Sequence, residues 1–325
     1  MSLAVQAARD TRYEPAVVPT MYFIGVTTGK SSIMTAFPRW AEHLGLGDAV
    51  IRGIDCKWHD EPEVYRRAVE FIKHDPLSLG ALVTTHKIDL LAACRDLFDE
   101  LDPFARLMGE VSGISKRGGK LVGHAKDPIS SGLALEAFVP AGHWERTGAE
   151  VLVLGAGGSS IAVTCYLMDQ RRGPSRPSKI VVTNRSQPRL DEIRHIHAKL
   201  AQPFPVEYHH APRAEDNDAL VSRLKPRSLV INATGLGKDA PGSPITGRAR
   251  FPKNGFAWDF NYRGDLLFLE QARAQTQERA LHVEDGWVYF LHGWTQVIAE
   301  VFHVEIPVRG PGFDEISRIA AGARR

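Results

Sequence analysis

Cysteine is scarce in this sequence. The three present, Cys56, Cys94 and Cys165, are odd in number and share no CxxC or Cys/His spacing. That excludes a disulfide framework and a zinc site, and it fits a reducing, cytoplasmic setting. Cys56-Lys-Trp-His59-Asp60 also lacks metal-ligand spacing, so no metal is expected. No apolar run reaches the roughly eighteen residues that a membrane span needs. Residues 1–15 lack the apolar core of a signal peptide, because Asp10 and Glu14 interrupt it. No charge of one sign dominates: 40 Lys+Arg against 38 Asp+Glu leave a net +2. That balance argues against a dedicated nucleic-acid or membrane-surface binder. There is no internal repeat.

What is present is an ordinary globular mixture, 43% hydrophobic and 24% charged. At roughly 100–200 residues per domain, 325 residues predict two domains. Short apolar runs alternate with stretches of helical spacing. Met21–Val26, Ala49–Ile54 and Leu79–Thr84 read as strands. Between them, Ile33, Phe37, Trp40, Ala41 and Leu44 mark one helix, with Ser31 or Ser32 as its N-cap. Val64, Ala68, Phe71 and Ile72 mark a second, and Ile88–Leu101 a third. A later series offers strands Glu150–Leu154, Lys179–Thr183, Ser228–Ala233 and Phe256–Phe260, with helices at Leu190–Leu200 and Val288–Val304. The alternation means βαβ units around largely parallel sheets, an α/β fold. Ser130-Ser131-Gly132 before Leu133, Ala134, Ala137 and Phe138 predicts a connecting helix at the junction. Trp258, Trp287, Phe290, Trp294 and Phe302 read as core.

Val151-Leu-Val-Leu-Gly155-Ala156-Gly157-Gly158-Ser159 carries the first functional signal. An apolar strand runs into a glycine turn that opens a helix. The first glycine permits the tight turn, and the second lets backbone approach a pyrophosphate. Free N–H groups at the helix start then face the anion. The next strand ends in Asn184-Arg185-Ser186, with Arg189 one turn later. An NAD-binding unit usually has a carboxylate there for the ribose hydroxyls. Arginines and a serine suit a 2′-phosphate instead, so the cofactor read is NADP(H). Gly25-Val-Thr-Thr-Gly29-Lys30-Ser31 only superficially resembles a nucleotide triphosphate loop. It is one residue short between its glycines, and no matching acidic strand follows.

The order of motifs resembles the shikimate dehydrogenase family, including its quinate-oxidising members. The resemblance runs from about residue 21 to 306. It rests on Phe23–Ser32, Leu82-Val-Thr84-Thr85-His86-Lys87, Gly109-Glu-Val-Ser112-Gly113 and Gly119–Asp127. It continues through the Gly155 turn, Asn184-Arg185-Ser186, Ile231-Asn232-Ala-Thr234-Gly-Leu-Gly237 and Asp259-Phe-Asn-Tyr262. It implies an N-terminal α/β substrate domain over residues 20–130, to which a helix at about 286–320 returns. A Rossmann-type NADP domain would span 131–285, with the active site in the interdomain cleft. It implies hydride transfer between nicotinamide and a hydroxyl or keto carbon of shikimate, quinate or a related ring polyol. Lys87 and Asp127 match its acid–base pair, and a positioned ammonium beside a developing alkoxide makes chemical sense. Gly155, Ala156, Gly157, Gly158, Ser159, Asn184, Arg185, Ser186, Arg189, Asn232, Thr234 and Gly237 would hold NADP. Ser31, Ser32, Thr84, Thr85, Ser112, Tyr262 and His292 would hold substrate.

The pocket departs from the family pattern. Ser112 and Ala125 stand where asparagines grip ring hydroxyls, Lys126 replaces a threonine, and the paired serines are adjacent. His292 stands near the place of a glutamine, and as a helix histidine it also has a plain packing reading. The expected protein is a cytoplasmic monomer or homodimer of aromatic amino acid biosynthesis, acting on a small cyclic polyol or hydroxy acid. A non-catalytic dinucleotide-binding sensor of the same fold is the alternative.

Overall fold

In the computed structural model, which describes residues 13–200, 203–238 and 240–323, the chain divides into two compact units. Residues 1–12 lie outside the described residues. One unit extends through Lys126 and resumes at Leu291; the other is Asp127–Phe290.

The first unit has six strands: β1 (Thr20–Gly25), β2 (Val50–Asp55), β3 (Ser78–Val83), β4 (Glu100–Leu101), β5 (Gly113–Arg117) and β6 (Lys120–His124). Their order is β2-β1-β3-β5-β6-β4. β1 pairs in parallel with β2 and β3, while β5 runs antiparallel to both β3 and β6. β1 is buried along its whole length, as a strand covered on both faces must be. Helix Ile33–His43 buries Ile33, Ala36, Phe37 and Trp40. Ser32 is its N-cap residue but makes no side-chain capping bond. Trp40 donates its indole N–H to the Ile316 carbonyl at 3.0 Å, fastening helix Pro311–Ala321 to this unit.

The helix expected over Ile88–Leu101 is three pieces. Helix Lys87–Cys94 gives way to a 3-10 turn at Arg95–Leu97 and then to β4. The apolar spacing of Phe98 and Leu101 mimics a helix face. Asp99 instead accepts the Leu121 amide at 2.8 Å, and Asp102 caps helix Pro103–Met108 by accepting the Ala105 amide at 2.7 Å. The β5–β6 hairpin was also not expected. Its turn uses Gly118 and Gly119, both at positive φ, +57° and +80°.

The second unit holds β7 (Val151–Leu154), β8 (Ile180–Asn184), β9 (Val206–His210), β10 (Leu229–Asn232), β11 (Phe256–Asp259) and β12 (His282–Glu284). All pair in parallel, in the order β12-β11-β10-β7-β8-β9. This is the doubly wound order of dinucleotide-binding folds, with its switch point between β7 and β10. The expected α/β class, with a Rossmann-type unit, is borne out. β9 and β12 escaped the sequence reading because they are edge strands without a buried run. The central strands pack Leu152, Leu154, Val181, Val230 and Ala257 against Phe251, Phe268 and Leu269. Trp258, Trp287 and Trp294 are buried, as expected of core residues. Among the described residues no helix is long and apolar enough to cross a membrane.

Candidate active site

In the second unit, three loops meet at the C-terminal end of β7. Gly155 has φ +108°, and a Cβ there would lie 2.7 Å from the Ala233 carbonyl oxygen. Only glycine lets the β7 turn and the β10 loop touch. The Gly155 amide donates to Thr183 at 2.8 Å, and the Ala233 amide to Leu154 at 2.9 Å. Ala156 is buried beneath the turn. Gly157, N-cap of helix Gly158–Met168, differs: a Cβ there would meet nothing within 4 Å. Gly158 and Ser159 form the first helical turn and are half-buried. Open space over a glycine N-cap and unpaired helix-start amides is a cradle that fits a pyrophosphate.

Asn184 ends β8, and its side-chain amide donates to the Ser186 carbonyl at 3.3 Å. Ser186 is the N-cap of helix Gln187–His197 and makes no side-chain capping bond. Arg185 is exposed, and among the described residues its guanidinium has no hydrogen bond or ion pair. The His210 Nε2–H donates to the Arg185 carbonyl at 3.0 Å and fixes its backbone. Arg189 pairs with Glu192 at 2.8 Å. Exposed pairs of this kind are worth roughly 0–1 kcal/mol, so a phosphate can compete for Arg189.

The β10 loop is braced from inside. Asn232 is fully buried; its Oδ1 accepts the Thr234 amide (3.2 Å) and hydroxyl (2.7 Å). Its Nδ2 donates to Asp259 at 3.1 Å. Asp259 also accepts the Asn261 amide at 2.9 Å, and the Asn261 side chain donates to Leu236 at 2.9 Å. Burial pushes the Asp259 carboxyl up to about 6, although those hydrogen bonds oppose it. Thr234 and Gly237 therefore sit on a loop held by Asn232 and Asp259. Tyr262, half-buried, packs its ring against Trp287 and Phe290, at 5.3 and 4.9 Å between centroids. Asp127 is the first residue of helix Asp127–Phe138.

In the first unit, another set of loops gathers at the ends of β1 and β3. The Thr84 amide donates to Ile24 at 3.0 Å, and Lys87 opens its helix two residues beyond Thr85. The Lys87 carbonyl accepts the Val111 amide at 3.2 Å, and the Ser112 carbonyl accepts the Val83 amide at 2.9 Å. Thr84, Thr85, Lys87 and Ser112 are thus brought together. The Ser112 hydroxyl is already engaged, accepting the Lys126 amide at 2.8 Å. Ser31 and Ser32 follow a 3-10 turn whose Thr28 donates amide and hydroxyl to Asp55 at 2.8 and 2.5 Å. A Cβ on Gly25 would come within 3.2 Å of both Thr84 and Thr28, so that turn lies beside β3's end. His292 is 1% exposed and stacks flat on Phe313 at 4.3 Å. Burial pushes it down to about 4, and its Nδ1 has no partner.

No family model matches the chain. A shikimate dehydrogenase (NADP(+)) of Lactococcus lactis is 30% identical over 224 residues, 69% of this chain and 73% of that protein. The chain belongs to the shikimate dehydrogenase family. It is an oxidoreductase of the alcohol-dehydrogenase type. A solved shikimate 5-dehydrogenase from Thermus thermophilus, in complex with NADP(H) and shikimate, has the same fold. It superposes with TM-score 0.69 at 21% identity, covering 94% of this chain and 99% of that one. A 5-ketofructose reductase of a Gluconobacter species also shares the fold, with TM-score 0.67 and 18% identity over 94% and 98% of the two chains.

The residues read from the sequence as departures from the family pattern, Ser112, Ala125, Lys126 and His292, belong to the first unit. Lys126 forms a largely buried ion pair with Glu300, which also faces Arg117 at 3.8 Å. The sequence marks Lys126 as a departure from the family pattern but gives no sign of Glu300. Sequence reasoning also missed Asn261, Asp55 and the contact between Tyr65 and His86. The Asp259-Phe-Asn-Tyr262 motif contained Asn261 and was the signal available for it.

Proposed function

We propose that the protein moves a hydride between a nicotinamide and a hydroxyl- or keto-bearing carbon of a cyclic polyol acid of the shikimate or quinate type. The cofactor is NADP(H). The observation that carries the reading is the convergence of the Gly155 turn, Arg185 and the braced Asn232 loop on the switch point of the parallel sheet. Gly157 and the first turn of its helix receive the pyrophosphate. Arg185, Ser186 and Arg189 receive the 2′-phosphate, the planar guanidiniums matching its geometry. The Asn232 loop supports the nicotinamide end through Thr234 and Gly237. When bound, NADP(H) supplies or accepts the hydride.

The chain's own part is the proton. Lys87 donates a proton to the substrate oxygen as a carbonyl is reduced, and takes one up as an alcohol is oxidised. Asp127 orients Lys87 and keeps it supplied with a proton. Ser31, Thr84 and Thr85, with Tyr262, bind the ring's oxygens. The hydroxyl of Ser112 and the ammonium of Lys126 are engaged within the protein, at the Lys126 amide and at Glu300. Sites that read hydroxyls by hydrogen bonds discriminate steeply, so the preferred ring differs in its substituents from shikimate.

A spectrophotometric screen tests this: NADP+ and NAD+ against shikimate, quinate and other cyclic polyols, with 5-ketofructose and NADPH as a reductive arm. The expected outcome is NADP-specific turnover of at least one ring polyol. A preference for NAD+ would refute the 2′-phosphate assignment. NADP binding without any turnover would favour the sensor alternative.

A further inference from the structure

The segment that carries Lys87 is built in an unusual way. Thr85 has φ +57°, a region that a β-branched residue rarely adopts. The His86 amide donates back to the Thr84 carbonyl across it. This closes a three-residue turn of the strained hand at the mouth of the Lys87 helix. Such a conformation persists only where the surroundings over-determine it, and it clusters where a side chain must be aimed. His86, though flanked by exposed Thr85 and half-buried Lys87, is 1% exposed.

What holds it is a hydrogen-bonded chain from helix Pro62–His74. The Tyr65 hydroxyl accepts the Asp60 amide at 3.1 Å and lies 3.2 Å from His86 Nδ1. With the oxygen accepting the Asp60 amide, the phenolic proton lies on the side that faces Nδ1 in the arrangement proposed below. His86 is then neutral, with its proton on Nε2. Burial holds the His86 pKa below its ordinary value, against the carbonyls of Gly25 and Cys56 that favour the charged ring. A neutral ring puts no second positive charge beside the Lys87 ammonium. On the outer face of the same turn, His59 Nδ1 lies 2.9 Å from Asp89, in the first turn of the Lys87 helix.

We propose that Tyr65 and His86 are positioning residues for the reaction: the Tyr65 hydroxyl, bonded to His86 Nδ1, locks the left-handed Thr85 turn and so fixes where Lys87 points. This rests on the assignment of Lys87 as the proton donor. It adds two residues that do not touch substrate.

The test compares Tyr65→Phe, His86→Asn, His86→Leu and Lys87→Ala in the full chain. Each is assayed for kcat and KM across pH on the fastest substrate of the screen, for NADP+ affinity and for Tm. Tyr65→Phe should lower kcat about 10- to 100-fold, the scale expected when a reacting group is displaced by about an ångström. NADP+ affinity and Tm should stay near wild type, and the pH profile of kcat should shift. His86→Asn, which restores an acceptor near Nδ1, should recover most of the rate; His86→Leu should not. Labelling of Lys87 by trinitrobenzenesulfonate, read by mass spectrometry, gives a readout independent of substrate and should quicken severalfold in Tyr65→Phe. Wild-type kcat, pH profile and labelling in Tyr65→Phe would overturn the proposal, as would a kcat loss matched by loss of folded, NADP-binding protein. Wild-type turnover in Lys87→Ala would instead overturn the underlying assignment. An inactive Lys87→Ala beside an unaffected Tyr65→Phe refutes the positioning role alone.

Discussion

At the end of β7 the chain turns on Gly155, with φ +108°; at the end of β3 it turns on Thr85, with φ +57°. Both are positive-φ turns that feed a helix. The glycine adopts its conformation at little cost and is pressed directly against the backbone of the β10 loop. The threonine adopts its conformation against its preference and is held by side chains some distance away in sequence. In the proposed mechanism the first turn offers backbone amides to a phosphate group common to many cofactors. The second, in the proposed mechanism, aims one particular ammonium at one particular oxygen. Backbone recognition needs absent side chains, whereas side-chain recognition needs present ones to be braced.

The largest expected effect separates aiming from holding. Lys87→Ala should reduce kcat by about 10²–10⁴-fold, the usual contribution of a positioned acid–base group. NADPH affinity, followed by fluorescence titration, should not change. The next pair divides the glycine turn itself. Gly155→Ala meets both a positive φ and the Ala233 carbonyl, and should cost about 3 kcal/mol in thermal or urea unfolding. Gly157→Ala meets nothing and should leave Tm unchanged while weakening NADP+. If Gly157→Ala binds NADP+ normally, the cradle assignment is wrong. Arg185→Ala should raise the NADP+ Kd by about 10- to 100-fold, from loss of a charge-assisted contact, and leave NAD+ affinity alone.

A smaller effect belongs to the brace under the β10 loop. Asp259 is raised in the folded state from an ordinary 3.8 to about 6. The protonated form is thus favoured by folding. The associated stability is complete below about pH 4 and is lost as pH rises through about 6, a change on the order of 3 kcal/mol. Wild type minus Asp259→Asn, measured as Tm against pH, should show that slope; a flat difference would show that Asp259 is not raised. The smallest effect inverts the opening contrast. Thr85→Gly should raise stability slightly, by up to about 1 kcal/mol, as the strained φ is relieved. Its kcat should fall nonetheless. A Thr85→Gly enzyme with full kcat would show that the turn needs no such constraint.

The same contrast explains what was legible in the sequence. Gly155 and Gly157, Arg185 and Ser186 could be read because a glycine turn after an apolar strand is a local pattern. The central strands were legible as uninterrupted apolar runs, but β9, reading Val206-Glu-Tyr-His-His210, has no such run. Asn232 was legible as part of a motif, though its amide turns inward to Asp259 and Thr234 rather than to the surface. The bond between Tyr65 and His86 joins residues 21 apart, and that between Lys126 and Glu300 residues 174 apart. No spacing rule connects such pairs; only the folded sheet does. The helix over Ile88–Leu101 failed for a related reason, since pairing of β4 with β6 overrode its local apolar period.

The division of the chain also bears on its synthesis. The unit that carries Lys87 is made of residues from before Asp127 and after Phe290, so the Asp127–Phe290 unit lies within it in sequence. On the ribosome all six strands of the outer unit, Thr20–His124, emerge before the first strand of the inner unit, Val151–Leu154, but the outer unit's last helices come only after the inner unit is made. The outer one waits with helix Ile33–His43 exposed until Ile316 emerges to accept the Trp40 indole, 276 residues later. Closing so long a loop costs only slightly more entropy than closing one of half the length, because the cost grows with the logarithm of length. The burden is therefore one of time: an apolar helix face stays open to chaperones and to aggregation for most of translation.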